Sequence, residues 1–202
     1  MPTIERGLPL VQHVISTLKA RVAKRGGDEP VGAGRTALDA LESKLMVELP
    51  PTLRAFLSFD FTFASFGKGW HGKGRFGTNP QQPRPRLTSV RKLAEARTEL
   101  GWTDSRIRTK LLRLPNRPRH PWNVLYLGEA RRDGELLILG IDHEDTLVRL
   151  WPRYTAFDLY LAEQAGLVDL PESARLEDLE SHIALNPELQ TGEDLEDGDA
   201  DY

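Results

Sequence analysis

There is no cysteine in the 202 residues. That excludes disulfides, thiolate nucleophiles and cysteine-ligated zinc, and it fits a reducing compartment. Long apolar runs are missing too. The first 25 residues, MPTIERGLPLVQHVISTLKARVAKR, are interrupted by Glu5 and Arg6, and nothing further on approaches the roughly 20 consecutive apolar residues of a membrane span. Neither a secretory leader nor a transmembrane helix is expected, so the reading is of a cytoplasmic chain with no membrane partner. Histidine is scarce and scattered, at His13, His71, His120, His143 and His182, without metal-ligand spacing. A G-x-S-x-G elbow is absent, no repeat recurs, and Glu42 has no second carboxylate with which to share acid–base work. No catalytic constellation emerges, and no cofactor or metal is expected.

What is present is an ordinary globular composition, 39% hydrophobic and 28% charged. A chain of this length buries roughly two-thirds of the surface that its unfolded form exposes. The net charge of -3 conceals an asymmetry: residues 169–202 carry 12 of the 30 acids and, in Arg175, one of the 27 lysines and arginines. A basic body is thus followed by an acidic extension. Such an extension is either a solvated tail or a cover for a basic patch, its own or a partner's.

Along the chain, Val11, Val14 or Ile15, Leu18 and Val22 recur at helical spacing within residues 8–25, with cations gathering towards the C-terminal end. A glycine-rich loop follows at 26–34. A second helix is expected from Arg35 to Met46, with Leu38, Leu41 and Leu45 on one face. Pro51 then starts a third, PTLRAFLSF, because a first turn does not need the missing N–H. FDFTF alternates Phe59, Phe61 and Phe63 with the period of a strand. Residues 64–86 are rich in glycine, proline and cations and read as an extended loop, after which TSVRKLAEARTELGW resumes helical spacing. Three strands follow, at 123–129, 135–142 and 146–151. Short links at RRDG and HED make an antiparallel meander the economical arrangement. TAFDLYLAEQAG (155–166) and ARLEDLESHIAL (174–185) have helical spacing, and the last dozen residues read as disordered.

The stretch GKGWHGKG (67–74) resembles a phosphate-binding loop but has Gly74 where that motif needs Ser or Thr. The prolines that follow forbid the helix whose N-terminus would meet the phosphates. Its two G-x-G-x-x-G matches open no helix either. LLILGID ends in Asp142 as a Walker B strand does, yet hairpins flank it. A different use of the loop is nucleic-acid binding, since Lys68, Trp70, His71, Lys73, Arg75 and Phe76 alternate cations with rings. DHED (142–145) reads as a polar hairpin turn.

The order of elements resembles the Smi1/Knr4 family, the SUKH superfamily. ALDALESKLMVELPPTLRAFLSF is similar to its opening signature through Leu41, Glu42, Leu45, Val47, Leu49, Pro50, Leu53, Phe56 and Leu57. VLYLGEARRDGELLILGID is similar to its central hairpin, with Gly128 before the turn, Asp133-Gly134 in it and Asp142 closing the strand. TAFDLYLAEQ is similar to its terminal helix through Phe157, Leu159 and Leu161. The chain departs from the family in having SFDFTF where an Asn-Gly pair is usual. The resemblance implies an α+β fold, a twisted, mainly antiparallel sheet with helices packed around it, spanning 35–168 with the basic loop at 64–86. Residues 1–34 would precede it as a helix and loop, and 169–202 would follow as the acidic extension. It also implies a non-enzymatic immunity protein, a monomer when free, that binds and neutralises a cognate bacterial toxin by occluding its active surface. A regulatory interaction module is the alternative within the family. Aromatic and arginine side chains anchor such interfaces, which selects Trp70, His71, Lys73 and Arg75 in the loop. The tail acids Glu193, Asp194, Glu196 and Asp197 would compete with phosphates for a cationic toxin groove.

Overall fold

Val11, Val14 and Leu18, spaced three and four apart, form the buried stripe of α1, Leu8–Arg25, in the computed structural model. The structure describes residues 5–26, 29–66, 76, 79–82, 111–116, 122–144 and 147–189. The helix expected within 88–102 lies outside them. Lys24 and Arg25 stand in the last turn of α1, where cations oppose the helix dipole. Its start is tied down from elsewhere in the chain. The buried Asp158 accepts hydrogen bonds from Arg6 Nε at 2.8 Å and from the Gly7 N–H at 2.7 Å.

Helix α2, Arg35–Leu45, buries Ala37, Leu38, Leu41 and Leu45, and α3, Pro51–Phe59, buries Leu53, Phe56 and Leu57. Glu42 clasps these two helices together. Glu42 accepts from the Leu49 N–H at 3.0 Å and from Arg54 Nη1 at 2.5 Å, and Arg54 also pairs with Asp39. FDFTF is not a strand. Phe59 ends α3, residues 60–63 turn, and Ala64–Phe66 is a short 3-10 helix. The cause is Asp60, fully buried, whose carboxylate accepts from the N–H groups of Ala64 and Ser65 and from the Ser65 hydroxyl. A two-residue alternation of burial is therefore met here by a capped turn, with Phe63 at φ 58°.

The sheet has four strands in the order β1 (Leu111–Arg113), β2 (Trp122–Tyr126), β3 (Ile138–Glu144) and β4 (Leu147–Tyr154), every neighbour antiparallel. The β2–β3 turn uses Asp133-Gly134 as the sequence suggests. Gly134 takes φ 79°, its N–H donates to Arg131 O, and the Asp133 carboxylate accepts the Glu135 N–H. The β3–β4 link is shorter than the HED turn expected. Asp142 does not close β3, which runs on through His143 and Glu144, and Glu144 pairs with Leu147. Pairing two further rungs satisfies backbone groups that a wider turn would leave to water.

Alternation along the strands separates two faces. Leu112, Leu125 and Ile138 join the helical core with Leu53, Phe56 and Phe157, while Leu111, Val124, Leu139 and Ile141 form a second cluster on the outer face. Helix α4, Phe157–Gln164, is buried on nearly every side rather than along one stripe, because α1, α3 and β4 all contact it. The helix expected at 174–185 is two pieces, α5 (Glu172–Arg175) and α6 (Leu179–Leu185), broken where Asp178 takes φ 61°. The break lets Leu179 and Leu189 cover the outer sheet cluster. The first half of the acidic extension thus packs as part of the fold.

Candidate partner-binding site

The basic loop begins after Phe66, and Phe76 is in the core. The structure explains how both ends are held. Phe63 lies between them, its ring stacked on Phe66 at 5.8 Å and on Phe76 at 6.1 Å, so the two outer ring centroids are at most about 12 Å apart. Phe56 meets Phe63 at 4.7 Å and Phe61 meets Phe76 at 6.0 Å, which fixes this aromatic block to α3. Phe61, Phe63 and Phe76 are fully buried. The turn that brings Phe63 into place is the one held by Asp60. Phe76 is therefore core, and its expected part as an exposed ring for base stacking is corrected: a ring with no accessible surface has no free face. Trp70, His71, Lys73 and Arg75 lie outside the described residues, as do Glu193, Asp194, Glu196 and Asp197.

Two depressions flank the second half of α1. The larger, about 770 Å3, runs between α1 and α3 and is lined by Ile15, Lys19, Val22, Pro30, Ala55 and Phe59. Its far wall is the segment 29–33, laced to the end of α3 by Ala33 N–H to Leu57 O at 2.9 Å and by Phe61 N–H to Val31 O at 3.0 Å. Lys19 Nζ stands 5.5 Å from the centroid of Phe59, giving the groove an apolar floor with a cation over it. The smaller depression, about 210 Å3, lies on the other side of α1, where Arg21 and Arg25 face Ser65, Phe66 and Gln164. Phe66 is both its wall and the foot of the loop. In the sequence the cations of α1 show only as charges gathered towards its C-terminal end. Only the helix's contacts with the 3-10 turn and α4 reveal a pocket there.

The buried ionisable groups serve the scaffold. Glu135 accepts from Thr52 Oγ1 at 2.5 Å and from the Phe157 N–H at 2.8 Å, so one carboxyl caps the first turn of α4 and ties it to a side chain in the first turn of α3. Burial raises it to about 7 against those two hydrogen bonds, which favour the charged form, and the charges of Asp158 and Asp133 add to the rise. His182 is buried with Nε2 at 2.8 Å from Thr155 O, and loss of hydration pushes its pKa down, holding the ring neutral. Asn186 bonds the backbone of Glu129 in both directions, at 2.7 and 3.1 Å, which docks α6 on the β2–β3 hairpin. Tyr160, fully buried, donates to Pro115 O, and burial raises its pKa well above the ordinary value.

Among the described residues no three histidine or carboxylate groups gather as a metal site, and no helix is long and apolar enough to cross a membrane. The arrangement can present a loop from a rigid base, and can offer a groove and a cationic pocket beside it. Comparison of the chain with protein-family models, curated proteins and solved structures returns no match.

Proposed function

We propose that this chain is a cytoplasmic immunity protein that binds a cognate bacterial toxin and blocks its active surface without catalysing a reaction. The observation that carries the reading is the aromatic mount. The nine residues 67–75 join Phe66 to Phe76, both stacked on one buried ring whose turn is itself held by the buried Asp60. Fixing the feet of a loop before it meets its partner lowers the ordering cost of association. The residues between include Trp70, His71, Lys73 and Arg75, of which tryptophan and arginine are side-chain types on which interfaces concentrate their binding energy. The resemblance of 37–163, weak over 64–122, to the Smi1/Knr4 family supports the same reading, as does the clasp made by Glu42.

Affinity capture from the source cells in high salt tests this. One tightly held toxin domain is expected. Trp70→Ala should weaken its capture by about 2 kcal/mol or more, as hot-spot truncations do. Deleting residues 190–202 should slow association with a cationic toxin and flatten its salt dependence. Recovery of several housekeeping proteins with no toxin would replace the reading with a regulatory module, and recovery of nucleic acid would move the function to the basic loop alone.

A further inference from the structure

Arg21 and Arg25 stand one helical turn apart near the C-terminal end of α1, and both line the pocket of about 210 Å3 with Leu18, Ser65, Phe66 and Gln164. Side chains at this spacing are neighbours, and two like charges so placed repel. Among the described residues no lining residue is acidic and neither arginine makes an ion pair. A guanidinium carries five N–H donors. On Arg21 a single bond is made among the described residues, from Nη1 to Ala165 O at 2.6 Å, and Arg25 makes none. Ser65 gives both its N–H and its hydroxyl to Asp60, so the hydrogen-bond donors left for a ligand are chiefly the arginines' own.

Charge balance decides what such a pocket attracts. The ends of α1 and α4 meet here, each contributing about half a negative charge. Two guanidinium groups outweigh them and leave about one positive unit facing a small polar space. Arg21 spends one donor on Ala165 O at the end of α4, whereas Arg25 bonds no carbonyl among the described residues, so its fork and the remaining donors of Arg21 are open to an oxyanion. Arginine's planar fork matches phosphate in a bidentate manner. The volume admits a phosphate and the first atoms of an ester, and is below the roughly 300 Å3 of a drug-sized site.

We propose that this pocket binds a phosphate group, free or as the monoester of a small molecule, gripped between Arg21 and Arg25. This goes beyond toxin binding and stands whether or not a toxin is the partner.

Calorimetric titration of the full chain at constant ionic strength tests it, with inorganic phosphate as the first ligand and glycerol phosphate as the second. Saturable binding of at least one, in the millimolar range or tighter, is expected. Tighter binding of the ester would assign the site to a small organic phosphate, and tighter binding of the free ion to phosphate itself. Arg25→Ala should weaken binding about 10-fold or more, and Arg21→Lys, which keeps the charge but loses the fork, should do likewise. Lys24→Ala, on the same turn but outside the pocket lining, should change it less than about 2-fold. In the unmodified protein, phosphate should selectively shift the Nε–H resonances of Arg21 and Arg25. Absence of saturation with both ligands, equal weakening by Lys24→Ala and Arg25→Ala, or shifts spread over all arginines would each overturn the proposal.

Discussion

Replacing Glu135 by glutamine sets two opposing forces on one carboxyl against each other. Only 5% of the residue is exposed, and burial lifts its pKa from 4.5 to about 7 although Thr52 and the Phe157 N–H both donate to it. Below about pH 4.5 the group is protonated in both folded and unfolded chains and costs nothing. Between about 4.5 and 7 the unfolded chain releases the proton and the folded chain keeps it, so stability falls as pH rises. A shift of two and a half pKa units corresponds to about 3 kcal/mol, lost in full above pH 7. Glutamine removes that slope while keeping the geometry: its oxygen accepts from Phe157, and its amide donates to the Thr52 hydroxyl. Exchanging the protonated carboxyl for an amide, whose NH2 must use the Thr52 oxygen as an acceptor, costs about 1 kcal/mol at any pH. Glu135→Gln should therefore be about 2 kcal/mol more stable than the parent at pH 8 and slightly less stable at pH 4.5. Urea unfolding of both proteins at half-unit pH steps measures the difference, in which the titration of other carboxyls cancels. A stability difference that stays constant from pH 4.5 to 8 would refute the reasoning.

Three further substitutions probe the scaffold around the loop and groove. Gly32→Ala would place a Cβ 1.7 Å from Ser58 O, so segment 29–33 must lift from α3; about 1–3 kcal/mol should be lost, read from thermal unfolding. Asp60→Ala leaves two N–H groups and the Ser65 hydroxyl without their acceptor, which should cost about 2–4 kcal/mol by chemical denaturation and loosen the mount of the loop. Arg6→Ala strips the guanidinium from the buried Asp158. Because Arg6 is itself 41% exposed, the loss should be about 1–2 kcal/mol, read from chemical denaturation at neutral pH.

The parts legible in the sequence are those that local chemistry dictates. Pro51 fixes where α3 begins, the spacing of Leu38, Leu41 and Leu45 fixes the buried face of α2, and Asp133-Gly134 fixes the hairpin turn because Gly134 adopts φ 79° at no steric cost. The α+β class was what the resemblance implied, and the structure has it, with helices around a four-stranded antiparallel sheet. The misreadings share a cause. Phe59, Phe61 and Phe63 have a strand's rhythm, but burial at every second residue also fits a turn once a carboxylate collects its N–H groups, and Asp60 gives no sign in the sequence that it is buried. The 174–185 segment has helical spacing throughout, yet breaking it at Asp178 lets Leu179 and Leu189 reach the sheet.

By itself, then, the sequence determined where helices and the hairpin form, since capping, φ restriction and apolar periodicity act over a few residues. Tertiary structure alone decided which charges are buried and which cations converge. Asp158 meets Arg6 across 152 positions and Glu135 meets Thr52 across 83, distances over which local spacing carries no information. The same holds for the depressions on either side of α1. Their walls come from α3, the 29–33 segment, the 3-10 turn and α4, and a groove exists only once those separate pieces of chain have packed.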